Sequence, residues 1–347
     1  MLSPGFTLAF LTMRLVVAAD SEGTWCYDSQ DPKCDPHLVP SGPTHWKELS
    51  PACGGPAQSP INIDLQLVQR DPTLGPFIFQ GYNSAPPGSW TLENDGHTVL
   101  LRVDNGPQSR LEMRGAGLPL PAYRALQLHF HWGSPGQAGS EHSLDRQRRP
   151  MEMHLIHMNT RYQSMGEALR HPDGLAVLAV LLAVRERPRD SWQGGREQDS
   201  DNANFSALVS SLKNVSTRGV SVPLATFPLA SLLPDPSGLS RYYRYSGSVT
   251  TPGCEPAVLW TVFEDAVPIG RAQVAQFQTV PQTGQPGTRL VPLTKNFRPQ
   301  QPLGGRTVWA SCGASIRAAA PPPACPQALA LGALLGLELS LLLGQGP

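Results

Sequence analysis

Neither sign of charge is in excess in this sequence: 27 Lys and Arg stand against 27 Asp and Glu in 347 residues. There is no basic block, which excludes a partner held through a phosphate backbone such as nucleic acid. No internal repeat is present, so stacked-repeat architectures are excluded. Helical periodicity is sparse, with 165–170, 204–213 and 271–277 the best short candidates, and that argues against a helical bundle. Charged residues make up only 16% of the chain against 40% hydrophobic, which excludes a disordered polymer and fits a fold with a sizeable core. No long linker divides the chain, so a single domain is expected.

Strand-like segments are present instead. Runs at 77–82, 90–93, 97–103, 126–132, 151–158, 174–184 and 257–263 alternate or are densely apolar and end at Gly, Pro or Asn. With 36 Pro and 33 Gly, much of the rest must be turns. The composition predicts an α+β, β-dominated domain with short peripheral helices, and the polar stretch 185–203 reads as a surface loop.

Both ends carry processing signals. Residues 6–19 form a short apolar run closing on small residues, as a secretory signal does, with cleavage expected after Ala19, although Arg14 interrupts it and a basic n-region is missing. Near the other end, Ser311-Cys312-Gly313 is followed by a Pro-rich spacer and an apolar run at 328–344, the order of a glycosylphosphatidylinositol (GPI) attachment signal. A membrane span is the competing reading of that tail, but the run contains Glu338 and has no basic stop-transfer residues after it. Attachment at Ser311 would remove 312–347 and leave Cys26, Cys34, Cys53 and Cys254, an even set, whereas Gly313 would leave an odd thiol. The sequons at Asn204 and Asn214 agree with an exported, glycosylated chain.

The chemistry is concentrated in "QLHFHWG" and "MEMHLIH". In a strand, His129 and His131 project from one face while Leu128, Phe130 and Trp132 take the other. In the second run, Glu152, His154 and Ile156 share a face, so a neighbouring strand could bring His154 over the first pair. Three neutral imidazoles with an open fourth position make a catalytic zinc arrangement. A lone H-x-H would by default be a pair of satisfied core histidines. Gln127 and Glu152, placed to take the second ring N–H of His129 and His154, favour the metal. His142 and His157 read as structural histidines.

These blocks resemble the α-carbonic anhydrases. "QSPINID" at 58–64, "NDGHTV" at 94–99, "QLHFHWG" at 127–133, "GSEHSLD" at 139–145, "MEMHLIH" at 151–157, "PDGLAVLAV" at 172–180, "GSVTTPGC" at 247–254, "VLWTV" at 258–262 and "NFRPQQPL" at 296–303 follow the family's order. The flanking signals are similar to those of its extracellular, GPI-anchored branch, the type IV and type XV enzymes. The resemblance implies a central, mostly antiparallel twisted sheet of about ten strands and the disulfides Cys26–Cys34 and Cys53–Cys254. It implies zinc on His129, His131 and His154, with Asn296 serving His131 through its carbonyl. Thr250 is implied as the gatekeeper, donating to Glu141, Thr251 as a further substrate contact, and His97 as the proton shuttle. Ile156, Val177, Val249 and Trp260 are implied as the apolar wall that receives carbon dioxide. Zinc lowers the pKa of bound water from about 15.7 to about 7, so hydroxide is available to attack carbon dioxide at neutral pH.

Three departures from the family are visible. Asp95 stands where better-known members have Asn and could raise the pKa of His97. Val249 replaces a Leu, and the family's early aromatic segment with a water-positioning Tyr has no clear counterpart before His45. The expected protein is an extracellular, membrane-anchored zinc enzyme of residues 20–311 that interconverts carbon dioxide and bicarbonate and is sensitive to sulfonamides and anions. Two alternatives stand beside it: a non-catalytic binding module of the same fold, and the product of a decayed gene.

Overall fold

The structure is a computed structural model that describes residues 25–27, 42–103, 110–184, 201–282 and 291–317. The expected signal at 1–19, Cys34, most of the loop at 185–203 and the apolar tail at 328–344 lie outside the described residues.

Among the described residues a 13-stranded mixed sheet dominates. Its main path runs Ser221–Ala225, Ser89–Asn94, Val99–Arg102, Tyr123–Trp132, Met151–Asn159, Leu175–Val184, Val258–Phe263, Tyr242–Gly247, Trp309–Ala310, Gln69–Arg70. The sheet thus exceeds the expected ten or so strands: Glu112–Gly115 and Val267–Ile269 attach to the path from outside, and Phe77–Gln80 pairs with Glu112–Gly115. Pairing is mostly antiparallel. The parallel contacts join Leu175–Val184 to Val258–Phe263 and to Val267–Ile269, and Trp309–Ala310 to Gln69–Arg70. Leu175–Val184 is the unbroken apolar run LAVLAVLLAV because it lies between two other strands and both its faces are covered.

The two sheet faces bury separate cores. One holds Trp90, Leu128, Phe130, Trp132, Met153, Leu155 and Leu178 together with Leu208 and Phe277 of the helices Ser206–Ser211 and Arg271–Phe277. The other holds Ile61, Ile63, Val177, Tyr245, Trp260 and Val262. Strand Tyr123–Trp132 changes faces partway along. Tyr123 and Ala125 lie in the first core with Leu128, Phe130 and Trp132, although odd and even positions should face opposite ways. The register shift between Ala125 and Gln127 resolves this: one extra residue reverses the alternation and turns Gln127, His129 and His131 toward the second core.

All seven predicted strand segments and all three helical segments form. Two long strands are absent from the sequence reading. Ser221–Ala225 contains Pro223, which argues against a strand interior, but it is the outermost strand of the path, where a missing N–H is tolerated. Tyr242–Gly247 contains Arg244, which is buried and donates to Thr261 Oγ1 at 3.0 and 3.2 Å.

The disulfide Cys53–Cys254 staples the start of the domain to the turn after Tyr242–Gly247. Cys26 is also disulfide-bonded. Ser311, expected as the attachment residue, is 1% exposed and follows directly on the sheet strand Trp309–Ala310.

Candidate metal centre

The neighbouring strands Tyr123–Trp132 and Met151–Asn159 set His129 directly across from His154. Each of the three histidines has one ring nitrogen committed to an acceptor. His129 Nδ1 lies 3.1 Å from Gln127 Oε1, His131 Nδ1 lies 2.7 Å from the Asn296 carbonyl, and His154 Nε2 lies 2.6 Å from Glu152 Oε1. A carbonyl and a carboxylate can only accept, so those nitrogens carry the protons. The nitrogens left over are Nε2 of His129, Nε2 of His131 and Nδ1 of His154. The three residues can offer ligand atoms that all lie within 4.8 Å of one another. Burial, reinforced by the neighbouring rings, holds His129 well below the usual histidine range and lowers His131 as well, so both are neutral. Three imidazoles, each with one ring nitrogen not taken by these acceptors, fit a zinc ion.

A second cluster, His142, Glu152 and His154, does not fit. Glu152 Oε1 already takes His142 Nδ1 and His154 Nε2, both at 2.6 Å, and Oε2 takes the His142 N–H at 2.7 Å. His142 Nε2 is bonded to the Tyr245 hydroxyl at 2.7 Å. That cluster therefore holds the metal-facing histidine in place. Burial alone would raise Glu152, but the two histidines and their hydrogen bonds keep it well below the usual carboxylate range.

Glu141 is fully buried beside the histidines, its Oε1 3.6 Å from His131 Nδ1. Oε1 accepts the Arg298 N–H at 2.7 Å, while Oε2 has no hydrogen-bond partner among the described residues. Arg298 is itself buried, and its guanidinium donates to Gln58 Oε1 and to the carbonyls of Ser59 and Cys53 at 2.8–3.0 Å. Through its backbone N–H and its guanidinium, this one residue ties the 58–64 and 296–303 blocks and the disulfide to Glu141.

Residues 41–312 match the eukaryotic-type carbonic anhydrase family. The chain belongs to that family. It is 63% identical over 343 residues to carbonic anhydrase 15 of Mus musculus, covering 99% of this chain and 98% of that protein. It is 36% identical over 272 residues to carbonic anhydrase 3 of Bos taurus, covering 78% of this chain and 95% of that one. It is 35% identical over 293 residues to carbonic anhydrase 4 of Oryctolagus cuniculus, at 84% and 86% coverage. The protein is accordingly a carbonic anhydrase, a lyase.

The expected apolar wall of this carbonic anhydrase forms one row across three strands. Ile156 pairs with Val177 and Val177 with Trp260. The Trp260 ring lies 4.8 Å from that of His154, and Val249 packs against the same cluster. Thr250 is buried and Thr251 half-buried in the turn that Cys53–Cys254 closes.

An aromatic pair does precede His45, outside the matched residues 41–312. Trp25 and Tyr27 pack on Trp46, at 5.3 and 5.7 Å between centroids, and His97 stacks on Trp25 at 3.7 Å and 13°. Only a single W-x-Y signal, far from the other blocks, could have revealed it. His97 is half-buried there, and burial together with Arg218 pushes its pKa down to about 3, so the upward effect expected from Asp95 does not prevail. Asp95 accepts the backbone N–H of His97 and of Thr98, both at 2.8 Å, and burial pushes it up to about 6. Asn296 clamps the same turn, donating to the His97 and Phe130 carbonyls at 3.0 and 3.1 Å. Asn204 and Asn214, the sequon residues, are exposed.

Proposed function

We propose that this carbonic anhydrase reversibly hydrates carbon dioxide to bicarbonate and a proton, with zinc held by His129, His131 and His154, at the outer face of the plasma membrane. The observation that carries the reading is the set of three buried imidazoles whose second nitrogens are already committed to Gln127, Asn296 and Glu152. Zinc bound there supplies Lewis acidity that brings the pKa of a water from about 15.7 to about 7.

The chain's own residues supply the rest. Ile156, Val177, Val249 and Trp260 form an apolar recess for a neutral, weakly hydrated substrate. The orphaned Glu141 Oε2 is the acceptor that the Thr250 hydroxyl needs if it is to be oriented as a donor to that carboxylate, and Thr251 lies next in the same turn. His97 accepts a proton only after leaving the Trp25 stack, because a site at pKa about 3 stays neutral at physiological pH. Sulfonamides and small anions are expected to inhibit by competing at the metal.

The secretory signal, the exposed sequons Asn204 and Asn214, the expected Cys26–Cys34 disulfide and the tail at 328–344 support an exported, glycosylated, GPI-anchored protein. No helix among the described residues is long and apolar enough to cross a membrane. The test is stopped-flow carbon dioxide hydration on the purified protein, with zinc determined on the same sample. Sulfonamide-sensitive hydration with about one zinc per chain is expected. Zinc-loaded, folded protein without hydration would overturn the catalytic reading.

A further inference from the structure

Each hydration releases a proton among buried histidines, and His97, stacked on Trp25 with its pKa pushed down to about 3, is a poor base to take it. A carboxylate lies in the same turn. Asp95 opens the connection between the strands Ser89–Asn94 and Val99–Arg102 and is half-buried, so it meets both the interior and solvent. Its Oδ1 accepts the N–H groups of His97 and Thr98, both at 2.8 Å, and its own N–H donates to the Thr98 carbonyl at 3.2 Å. Both side-chain bonds use Oδ1, which leaves Oδ2 unengaged among the described residues.

Two contacts fasten this turn to the metal-facing strand. The Thr98 hydroxyl donates to the Phe130 carbonyl at 2.5 Å and accepts the Phe130 N–H at 3.3 Å, and Phe130 stands between His129 and His131. Asn296 donates its amide to the His97 carbonyl at 3.0 Å while its own carbonyl takes His131 Nδ1 at 2.7 Å. Tyr27 approaches from the other side, its ring centroid 6.4 Å from that of His97. Burial, with the charges of Glu141 and then Asp95, holds the Tyr27 hydroxyl well above the usual tyrosine range. One buried hydroxyl therefore feels both the carboxylate beside His131 and the carboxylate of the turn, so Asp95 and Glu141 flank one interior.

We propose that Asp95 is a proton acceptor of the hydration reaction, taking the released proton on Oδ2 and handing it to buffer while His97 stays stacked. The proposal rests on the catalytic reading above. The carboxylate gains one proton and becomes a neutral carboxylic acid, then returns that proton to a buffer base in solvent; only O–H bonds form and break. The surroundings suit the task. Burial pushes Asp95 up, the N–H groups of His97 and Thr98 pull it down, and Glu93 on the preceding strand (upward) and Arg218 (downward) act more weakly, leaving it at about 6. A group poised near the working pH both takes and gives a proton, which a base at about 3 does not. As pH rises through about 6 Asp95 becomes the carboxylate that can accept, so its contribution to hydration grows over that range.

The test uses the full chain and two readouts. Asp95→Asn keeps an oxygen for the two N–H groups but has no basic carboxylate, so kcat in weak buffer should fall about tenfold with kcat/KM unchanged, and concentrated imidazole should restore it. Added to His97→Ala, the same substitution should slow turnover further; no further slowing would show that Asp95 acts only through His97 and would overturn the proposal. A parallel fall in kcat and kcat/KM without imidazole rescue marks a structural role and overturns it as well. The second readout needs no turnover. Carbon-13 NMR of protein labelled at Asp carboxyls should show one resonance titrating near pH 6 that is missing in Asp95→Asn. An Asp95 carboxyl titrating near its ordinary 3.8 overturns the proposal and leaves the catalytic reading intact. A natural chain that is folded and zinc-loaded yet does not hydrate carbon dioxide overturns that reading and this proposal with it.

Discussion

Glu152 Oε1 sits 2.6 Å from Nε2 of His154, in a fully buried position where that carboxylate also takes Nδ1 of His142. The contact fixes which nitrogen of His154 is left for a metal. Glu152→Gln keeps the volume and removes the charge, and zinc affinity should fall about 10–100-fold. Competition with a chromophoric chelator measures it; unchanged affinity would show that the carboxylate only fills space.

The stack of His97 on Trp25 carries a second prediction. Burial holds the His97 ring at about 3, so Trp25→Ala should let its pKa rise toward the ordinary value near 6.5. An NMR titration of the ring reads this directly, and a ring still titrating near 3 would assign the effect to other neighbours. His97→Ala should slow turnover in weak buffer and be rescued by added imidazole; no slowing would mean that protons leave by another route.

Asp95 yields a pH prediction whose sign follows from its raised pKa. The folded protein holds the proton up to about pH 6, against an ordinary value of 3.8, so burial of the charged form costs stability progressively as pH rises between those values and fully above them. Asp95→Asn keeps an oxygen to accept the His97 and Thr98 N–H groups and removes the charge. The variant should be more stable at pH 7.5, by on the order of 3 kcal/mol, and should differ little from the natural chain at pH 4. Urea unfolding at the two pH values checks this; an equal gap at both would contradict the titration.

The disulfide Cys53–Cys254 closes the turn that holds Thr250. Replacing both cysteines by Ser should cost about 2–5 kcal/mol and reduce hydration more than zinc content, because the metal strands lie elsewhere. Parallel loss of zinc and activity would instead point to collapse of the whole cleft.

The candidate metal site was legible because a strand's period of two puts His129 and His131 side by side and places Gln127 and Glu152 in step with the histidines they bond. The phase of that strand was not legible. The shift between Ala125 and Gln127 decides which core the histidines face, and no alternation pattern reveals an extra residue. Asn296 could be placed only by family resemblance, since it lies 165 residues from His131 and acts through its backbone. Trp25 and Tyr27 were missed because a short aromatic pair in an irregular segment has no periodicity to read. Pro223 and Arg244 concealed two strands, the first by lacking a donor at a tolerant edge, the second by finding Thr261 inside the sheet.

X-ray absorption at the zinc edge of the purified protein reads the ligands of the three-histidine site without relying on activity. About one zinc per chain is expected, with three imidazole nitrogens at about 2.0–2.1 Å and one further light ligand, and most zinc should be lost in His129→Ala. Sulfur scattering at about 2.3 Å, or full zinc retention in His129→Ala, would contradict that site.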